Sequence, residues 1–317
     1  MEQRRITLSE QLLAFLRELP DIDLNSLIDA YSRPLPSSIR INTLKTNMEK
    51  CLSLLREDGY LLEKIPWTHY GYYVSGEENL AESIWHMLGL VYFQGPVSML
   101  AAELLDVEPG NHVLDLCAAP GSKSTHIAQL LQASGVIVAN DISVDRVKAL
   151  ASNMQKFGVI NSIITLRDGR IFGKRYPSTF DRVLVDAPCS SLGIISKDWG
   201  VARRWSERIS ERISRLQLGL LLSGFDALKP GGKMIYSTCT LHPLENEAVV
   251  SELLEKRENA KLENINVEGI KTTKPVEEWR GITFHPDIGR CIRIYPYDSG
   301  AEGFFFAKIV KQDHGEA

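Results

Sequence analysis

The sequence predicts an α/β protein: a doubly wound, mostly parallel sheet with an antiparallel edge strand, preceded by a small α+β subdomain. Three observations carry this. Beyond Tyr92, short apolar runs alternate with amphipathic stretches, the pattern of strands joined by crossover helices. The last two β-rich segments, 291–295 and 303–310, are separated by a turn rather than a helix, as at an antiparallel edge. Ahead of this run the order is helix, strand, helix, strand, strand, a compact mixed unit. The division is expected near Leu90: 1–90 as an N-terminal helical and α+β subdomain, 91–317 as the larger domain.

Each element has its own signal. Leu12, Leu13, Phe15, Leu16 and Leu19 recur at helical spacing in a stretch over 8–31. Arg33-Pro34-Leu35-Pro36-Ser37 ends it. A strand follows over 38–42, then a helix over 48–57 carrying Leu52, Leu54 and Leu55, then strands near 62–65 and 72–74. In the larger domain, strands are expected at 112–117, 136–141, 162–166, 182–186 and 233–239. Helices are expected at 123–132, 145–157, 206–228 and 244–256. Residues 256–290 are polar and poorly periodic and receive no assignment.

Composition bounds the function. The chain has 317 residues, 44% hydrophobic and 24% charged, an ordinary globular composition with ample core for one large domain or two smaller ones. No apolar stretch is long enough to span a bilayer, and Met1-Glu2-Gln3-Arg4-Arg5 lacks the apolar run of a signal peptide, so a cytoplasmic protein is expected. Five scattered cysteines form no disulfide framework, and no zinc-ligand spacing occurs, so no metal is expected. A net charge of −4 weighs slightly against a nucleic-acid partner, although local basic patches count for more than the total. A monomer with no membrane partner is the expectation.

Two cysteines stand in distinctive frames. Asp186-Ala187-Pro188-Cys189-Ser190 follows the strand Arg182-Val183-Leu184-Val185, and Ser237-Thr238-Cys239-Thr240 follows Lys233-Met234-Ile235-Tyr236. In an open α/β sheet the carboxyl ends of strands carry the chemistry. Two thiols and a carboxylate at that edge suggest covalent catalysis, because thiolate is a strong nucleophile. A lone cysteine after a strand is more often a buried apolar residue; two in matched positions argue otherwise. Cys51 and Cys291 read as packing.

A second constellation suits a nucleoside. Val113 to Lys123, VLDLCAAPGSK, is a strand running into small residues and then a helix. Small residues let backbone amides approach a ligand. This is neither a dinucleotide fingerprint nor a phosphate loop. Asp141 ends the next strand, where an acidic residue accepts from both ribose hydroxyls, and Asp168 ends the third, within reach of an adenine amino group. Asp141 as a helix cap and Asp168 as a turn residue are the plain alternatives. An adenosine ligand without phosphates fits, and S-adenosyl-L-methionine is one. The expected cofactor set is Cys117, Ala118, Ala119, Pro120, Gly121, Ser122, Lys123, Asp141, Arg146, Asp168 and Asp186. Of these, Cys117 reads equally as a small buried apolar residue.

The motifs DLCAAPGSKS, DAPCS and STCTLHPLENE, in that order, resemble the Nop/Sun (RsmB-like) family of RNA cytosine carbon-5 methyltransferases. The resemblance extends to Pro36-Ser37-Ser38-Ile39-Arg40-Ile41-Asn42-Thr43-Leu44, similar to the family's RNA-binding element, and to Gly303-Phe304-Phe305-Phe306-Ala307-Lys308. It implies a Rossmann-like methyltransferase fold and an RNA substrate, tRNA slightly ahead of rRNA. It also implies that Cys239 attacks carbon 6 of cytosine and that Cys189 helps release the product. Asp186 would hydrogen-bond the protonated ring nitrogen. Lys123 would lie at the edge of the site, its charge lowering the thiol pKa, or it is only a solvated first-turn residue. The family usually has Pro-Gly-Gly-Lys where this chain has Ser122. If that backbone needs φ > 0, Ser122 costs about 1 kcal/mol.

For RNA contact, Arg40 and Asn42 alternate with Ile39 and Ile41 and are expected to face solvent. Arg203 and Arg204 are interleaved with Trp199 and Trp205, which suits an unstacked strand, although surface charge and core tryptophans explain them as well. Two competing functions are weaker. Methylation of an exocyclic amine or of a protein glutamine needs no thiol. A silent RNA-binding scaffold would be expected to lose a cysteine or the acidic ribose contact.

Overall fold

The computed structural model describes residues 6–76 and 79–313. Met1 to Arg5, read above as lacking an apolar leader, lie outside them. Two helices, α1 (Glu10–Glu18) and α2 (Leu24–Ser32), stand where one helical stretch was expected. Pro20 cannot donate to a continuing helix and Asp21 takes φ +56°, so the chain turns. Asp23 then caps α2 by accepting from the Ser26 amide. Leu12, Phe15, Leu16 and Leu27 are buried in the core of the larger domain.

Strand β1 (Ser38–Ile41), helix α3 (Met48–Glu57), β2 (Leu61–Lys64), β3 (Gly71–Ser75), helix α4 (Ile84–Met87) and β4 (Val91–Phe93) follow. The strands form an antiparallel sheet in the order β2-β3-β1-β4, so its last strand lies just past residue 90. Cys51, Leu52 and Leu55 of α3 pack with Ile39 and Ile41.

The larger domain begins with α5 (Leu100–Glu103), β5 (His112–Asp115), α6 (Ser122–Leu130), β6 (Val136–Asp141), α7 (Val144–Lys156) and β7 (Ser162–Leu166). It continues through α8 (Phe172–Arg175), β8 (Phe180–Asp186), α9 (Trp199–Arg204), α10 (Glu207–Ala227), β9 (Leu228–Thr238) and α11 (Glu247–Lys256). β10 (Ala260–Glu263), the hairpin β11 (Glu278–Trp279) and β12 (Ile282–Thr283), β13 (Ile292–Ile294), α12 (Pro296–Ser299) and β14 (Phe304–Lys311) complete it. The sheet order is β10-β14-β9-β8-β5-β6-β7, with β13 paired to β14. Strands β9, β8, β5, β6 and β7 are parallel, and β14 runs antiparallel to β9. This is the doubly wound Rossmann-like sheet with an antiparallel edge.

Two expectations change. The unassigned stretch 256–290 supplies β10, which caps β14 at the edge, and contributes Trp279 and Phe284 to the core. Its partner strand lies far away in sequence, and no local periodicity announces such a pairing. The second change concerns Arg40 and Asn42, which do not face solvent: they are 0% and 1% exposed. Arg40 donates to Gln94 Oε1 (2.7 Å), the Ser122 carbonyl (2.8 Å) and Thr125 Oγ1 (2.8 Å). Asn42 Nδ2 donates to the carbonyls of Gly89 and Phe157. Strand alternation separates two faces but does not say what covers the second. Here the start of α6 and the end of α7 cover it. Neither residue is available to bind RNA.

Candidate active site

The carboxyl ends of β5, β6 and β8 converge at the point where the chain reverses its direction across the sheet, the usual place for a ligand in such folds. Between β5 and α6 the backbone needs one left-handed residue, and Gly121 supplies it with φ +109°. A Cβ there would sit 3.1 Å from Leu150 Cδ1. Ser122 is the first residue of α6 and takes no positive φ, so the strain considered for it does not arise.

A cavity of about 390 Å³ opens at this point, lined by Leu116, Cys117, Asn140, Asp141, Ile142, Arg146, Asp168, Gly169 and the DAPCS loop. Asp141 is 3% exposed. Its Oδ1 accepts from the Ser143 amide, whereas Oδ2 is buried with no hydrogen-bond partner and has Arg146 Nη1 at 3.4 Å. A buried carboxylate oxygen left free beside a cavity fits a ligand that donates, such as a ribose diol. Arg146 also reaches the Ala119 carbonyl, bracing the loop. Asp168 lines the same cavity with its carboxylate held by Arg170 (Nη2 to Oδ2, 2.6 Å), which lowers its pKa. These residues fit S-adenosyl-L-methionine.

The two thiols meet at the far wall, with Cys189 Sγ 3.2 Å from Cys239 Sγ. The two loops are tied together by Gly193 N donating to the Cys239 carbonyl (2.8 Å) and by Ser190 Oγ against Thr240 Oγ1 (2.7 Å). Either sulfur can donate in this contact; with the proton on Cys189, the contact raises the pKa of Cys189 and lowers that of Cys239. Burial pushes both up, the Asp186 carboxylate adds to this at Cys239, and the Ser191 hydroxyl and the Lys123 charge oppose it there by favouring the thiolate. With the shared proton on Cys189, Cys239 is the thiol favoured to ionise. Lys123 is 8% exposed and not a solvated surface residue. Burial works against its charge, but Asp186 Oδ2 at 2.7 Å outweighs this and raises its pKa. Ser237 Oγ donates to the other Asp186 oxygen (2.8 Å).

A second cavity of about 360 Å³ shares Cys117, Arg146, Asp186, Ala187 and Cys239 with the first, and adds Ser98, Lys123, Ile194, Lys197, Glu302 and Phe304. Cys239 and Asp186 thus stand where two chambers join. One chamber is walled by the nucleoside-type residues, the other by an aromatic ring and a Lys197–Glu302 pair (2.6 Å).

Residues 102–310 match the family described as 16S rRNA methyltransferase RsmB/F, and 8–96 match the N-terminal domain of 16S rRNA methyltransferase RsmF. The chain belongs to the RsmB/F methyltransferase family. It is 46% identical over 281 residues to the tRNA (cytosine(49)-C(5))-methyltransferase of Pyrococcus abyssi, covering 88% of this chain and 89% of that protein. It is 38% identical to ribosomal RNA small subunit methyltransferase F of Erwinia tasmaniensis and 40% identical to that of Pectobacterium atrosepticum, covering 92% and 96% of this chain. It spans only 61% and 63% of the length of those two relatives. Among solved structures, a methyltransferase homolog from Pyrococcus horikoshii superposes with TM-score 0.84 at 31% identity, covering 95% of this chain and 94% of that one. NSun6 from the same organism, solved with SFG, superposes with TM-score 0.83 at 23% identity, covering 96% and 98%, a likeness of fold.

Within this family framework, the other residues proposed for RNA contact separate. Arg203 and Arg204 are exposed on α9, and Arg204 pairs with Asp198 (2.7 Å). Trp205 is buried against Phe15, and Trp199 is 37% exposed with its indole donating to the Tyr31 carbonyl. Sequence reasoning missed Ser191, Ser237, Glu245, Ile142 and the part of the wall formed by Glu302 and Phe304; Lys197 it read as a basic residue for RNA contact. Ser237, Glu245 and Phe304 lie inside motifs quoted above, so proximity in sequence to the cysteines was a usable signal. Lys197 and Glu302 are brought together by folding alone.

Proposed function

We propose that this chain transfers a methyl group from S-adenosyl-L-methionine to carbon 5 of a cytosine in RNA, through a covalent bond to Cys239. The observation that carries this is the unequal thiol pair at the junction of two chambers, beside an Asp186–Lys123 ion pair. When bound, the cofactor supplies an electrophilic sulfonium methyl group. The free Asp141 oxygen would hold its ribose, and Ile142, Leu216 and Leu220 would flank its base.

The target base would enter the second chamber, against Phe304. Addition of the Cys239 thiolate to carbon 6 makes carbon 5 nucleophilic. Asp186, paired with Lys123, accepts a hydrogen bond from the protonated ring nitrogen as charge develops. After the methyl group has moved to carbon 5, the carbon-5 proton passes to water, its C–H electron pair re-forms the 5,6 double bond, and the carbon–sulfur bond breaks with its pair returning to Cys239 sulfur. There the Cys189 thiol, 3.2 Å away, stabilises the departing thiolate. The higher identity to a tRNA enzyme, 46% against 38% for an rRNA enzyme, supports tRNA as the substrate.

Denaturing gels test the assignment. Cys239→Ala is expected to abolish methylation and any protein–RNA adduct, and Cys189→Ala to accumulate a denaturant-resistant adduct. An adduct in Cys239→Ala but none in Cys189→Ala reverses the roles. Adducts in neither point to a mechanism without thiols. Bisulfite sequencing of tRNA and rRNA exposed to the enzyme identifies the substrate.

A further inference from the structure

Two equivalent cysteines in contact share a proton without preference, so any difference between Cys189 and Cys239 comes from their surroundings. After β9 the chain turns back through a short helix over Pro243–Glu245, and Tyr236 OH fixes the Glu245 carbonyl (2.6 Å). This places the Glu245 side chain, 0% exposed, beneath the Cys189 loop. Its Oε2 accepts from the Ser190 amide (2.8 Å) and from Gln217 Nε2 (3.3 Å), which also donates to the Pro188 carbonyl (2.9 Å). The other oxygen, Oε1, is buried without a hydrogen-bond partner. Among the described residues no lysine, arginine or histidine pairs with this carboxylate. A glutamine would clamp the same amide at lower desolvation cost, so a charge here calls for a function.

We propose that Glu245 is a positioning residue for this reaction: its buried carboxylate clamps the Cys189 loop to the Cys239 loop and sets an uncompensated negative charge against Cys189, making the thiols unequal. The proposal rests on the reading that Cys239 attacks and Cys189 assists. The groups acting on Cys189 are consistent with it. The contact with Cys239 and burial act on Cys189 first, Glu245 adds negative charge from the return turn, and Tyr236 of β9 lies close by. Asp186 and Lys123 neutralise one another on the opposite side, and Cys117, Asp141, Arg146 and Asp168 face the pair across the cofactor chamber. At Cys239 the Lys123 charge works against the larger opposing effect of Asp186, while Glu245 disfavours the Cys189 thiolate.

The test follows iodoacetamide alkylation of Cys189 against pH in the full chain, read peptide by peptide so that Cys51, Cys117 and Cys291 are scored separately. Cys239→Ser is compared with Cys239→Ser carrying Glu245→Gln, which removes the charge and keeps the acceptor. The midpoint for Cys189 is expected to fall by at least ~0.5 pH unit, since loss of a nearby negative charge favours the thiolate. Glu245→Asp in the same background keeps the charge and is expected to leave the midpoint high; it also serves if the glutamine variant does not fold. An unmoved midpoint in the glutamine variant, or an equal fall in the aspartate variant, overturns the proposal. The readout needs neither cofactor nor RNA, so its failure is separate from failure of the methylation reading.

Discussion

Arg40→Ala separates a buried structural role from an RNA contact. The guanidinium is fully buried, donates three hydrogen bonds between the N-terminal sheet and α6, and lies over the Tyr92 ring at 5.2 Å. Three bonds from a charged donor, at ~1.5–3 kcal/mol each, give a gross loss of ~4–9 kcal/mol. Against this, burial draws the Arg40 pKa from 12.5 down to about 9, so holding the cation there costs ~5 kcal/mol that alanine relieves. The Ser122 carbonyl keeps Thr125 Oγ1 as a partner, whereas Gln94, whose Nε2 is already unpaired, loses its remaining bond. The balance is a loss of at most ~4 kcal/mol, and the orphaned Gln94 side chain places the expectation in the upper half of that range, a fall in Tm of roughly 5 °C for a chain of this size. Thermal unfolding by circular dichroism measures it. In parallel, RNA affinity is measured by filter binding over a salt series. A side chain with no exposed surface neutralises no phosphate, so the slope of log K against log salt is expected to be unchanged. An unchanged Tm with a slope smaller by ~0.7–0.9 would refute the burial argument and restore Arg40 as a phosphate contact.

Three further outcomes are expected. Asp141→Ala removes the free buried oxygen facing the cofactor chamber and is expected to weaken S-adenosyl-L-methionine binding by ~1–3 kcal/mol in calorimetry, with equal affinity counting against the ribose assignment. Asp115 is fully buried with Ser124 donating to it, and burial, reinforced by Asp186, lifts its pKa from 3.8 to about 7 despite the opposing Ser124, Lys123 and Cys117 amide. The folded state therefore holds an extra proton between those values, so stability falls as pH rises through that window, by at most ~4 kcal/mol. Asp115→Asn is expected to flatten this dependence in urea titrations at pH 5 and pH 8, and an unchanged slope would remove Asp115 as its source. At the loop, Gly121→Ala is expected to cost ~1–2 kcal/mol of stability because of its φ of +109° and the Leu150 contact. Ser122→Gly is expected to bring no gain in cofactor affinity, and a gain would mean that Ser122 is strained after all.

The alternation of strands and helices beyond Tyr92, the strand-end placement of Cys189, Cys239, Asp186 and Asp141, and the small-residue loop before α6 were all legible in the sequence, because each is a local pattern. Hydrophobic periodicity sets an element's type, and the residue after a strand's last apolar position inherits a place at the sheet edge. The sequence alone therefore determined the fold class and which chemical groups reach one edge. It did not determine the environment of any of them. Arg40 alternates like a solvent-facing residue, yet α6 covers it; the α1–α2 break and β10 depend on a single turn and on a partner strand distant in the chain. The 3.2 Å thiol contact, the Lys123–Asp186 pair and the uncompensated Glu245 charge are likewise meetings of side chains from separate elements. Proton affinity depends on burial and on the charges within a few ångströms, so which cysteine ionises is decided by tertiary structure, where those charges first come together.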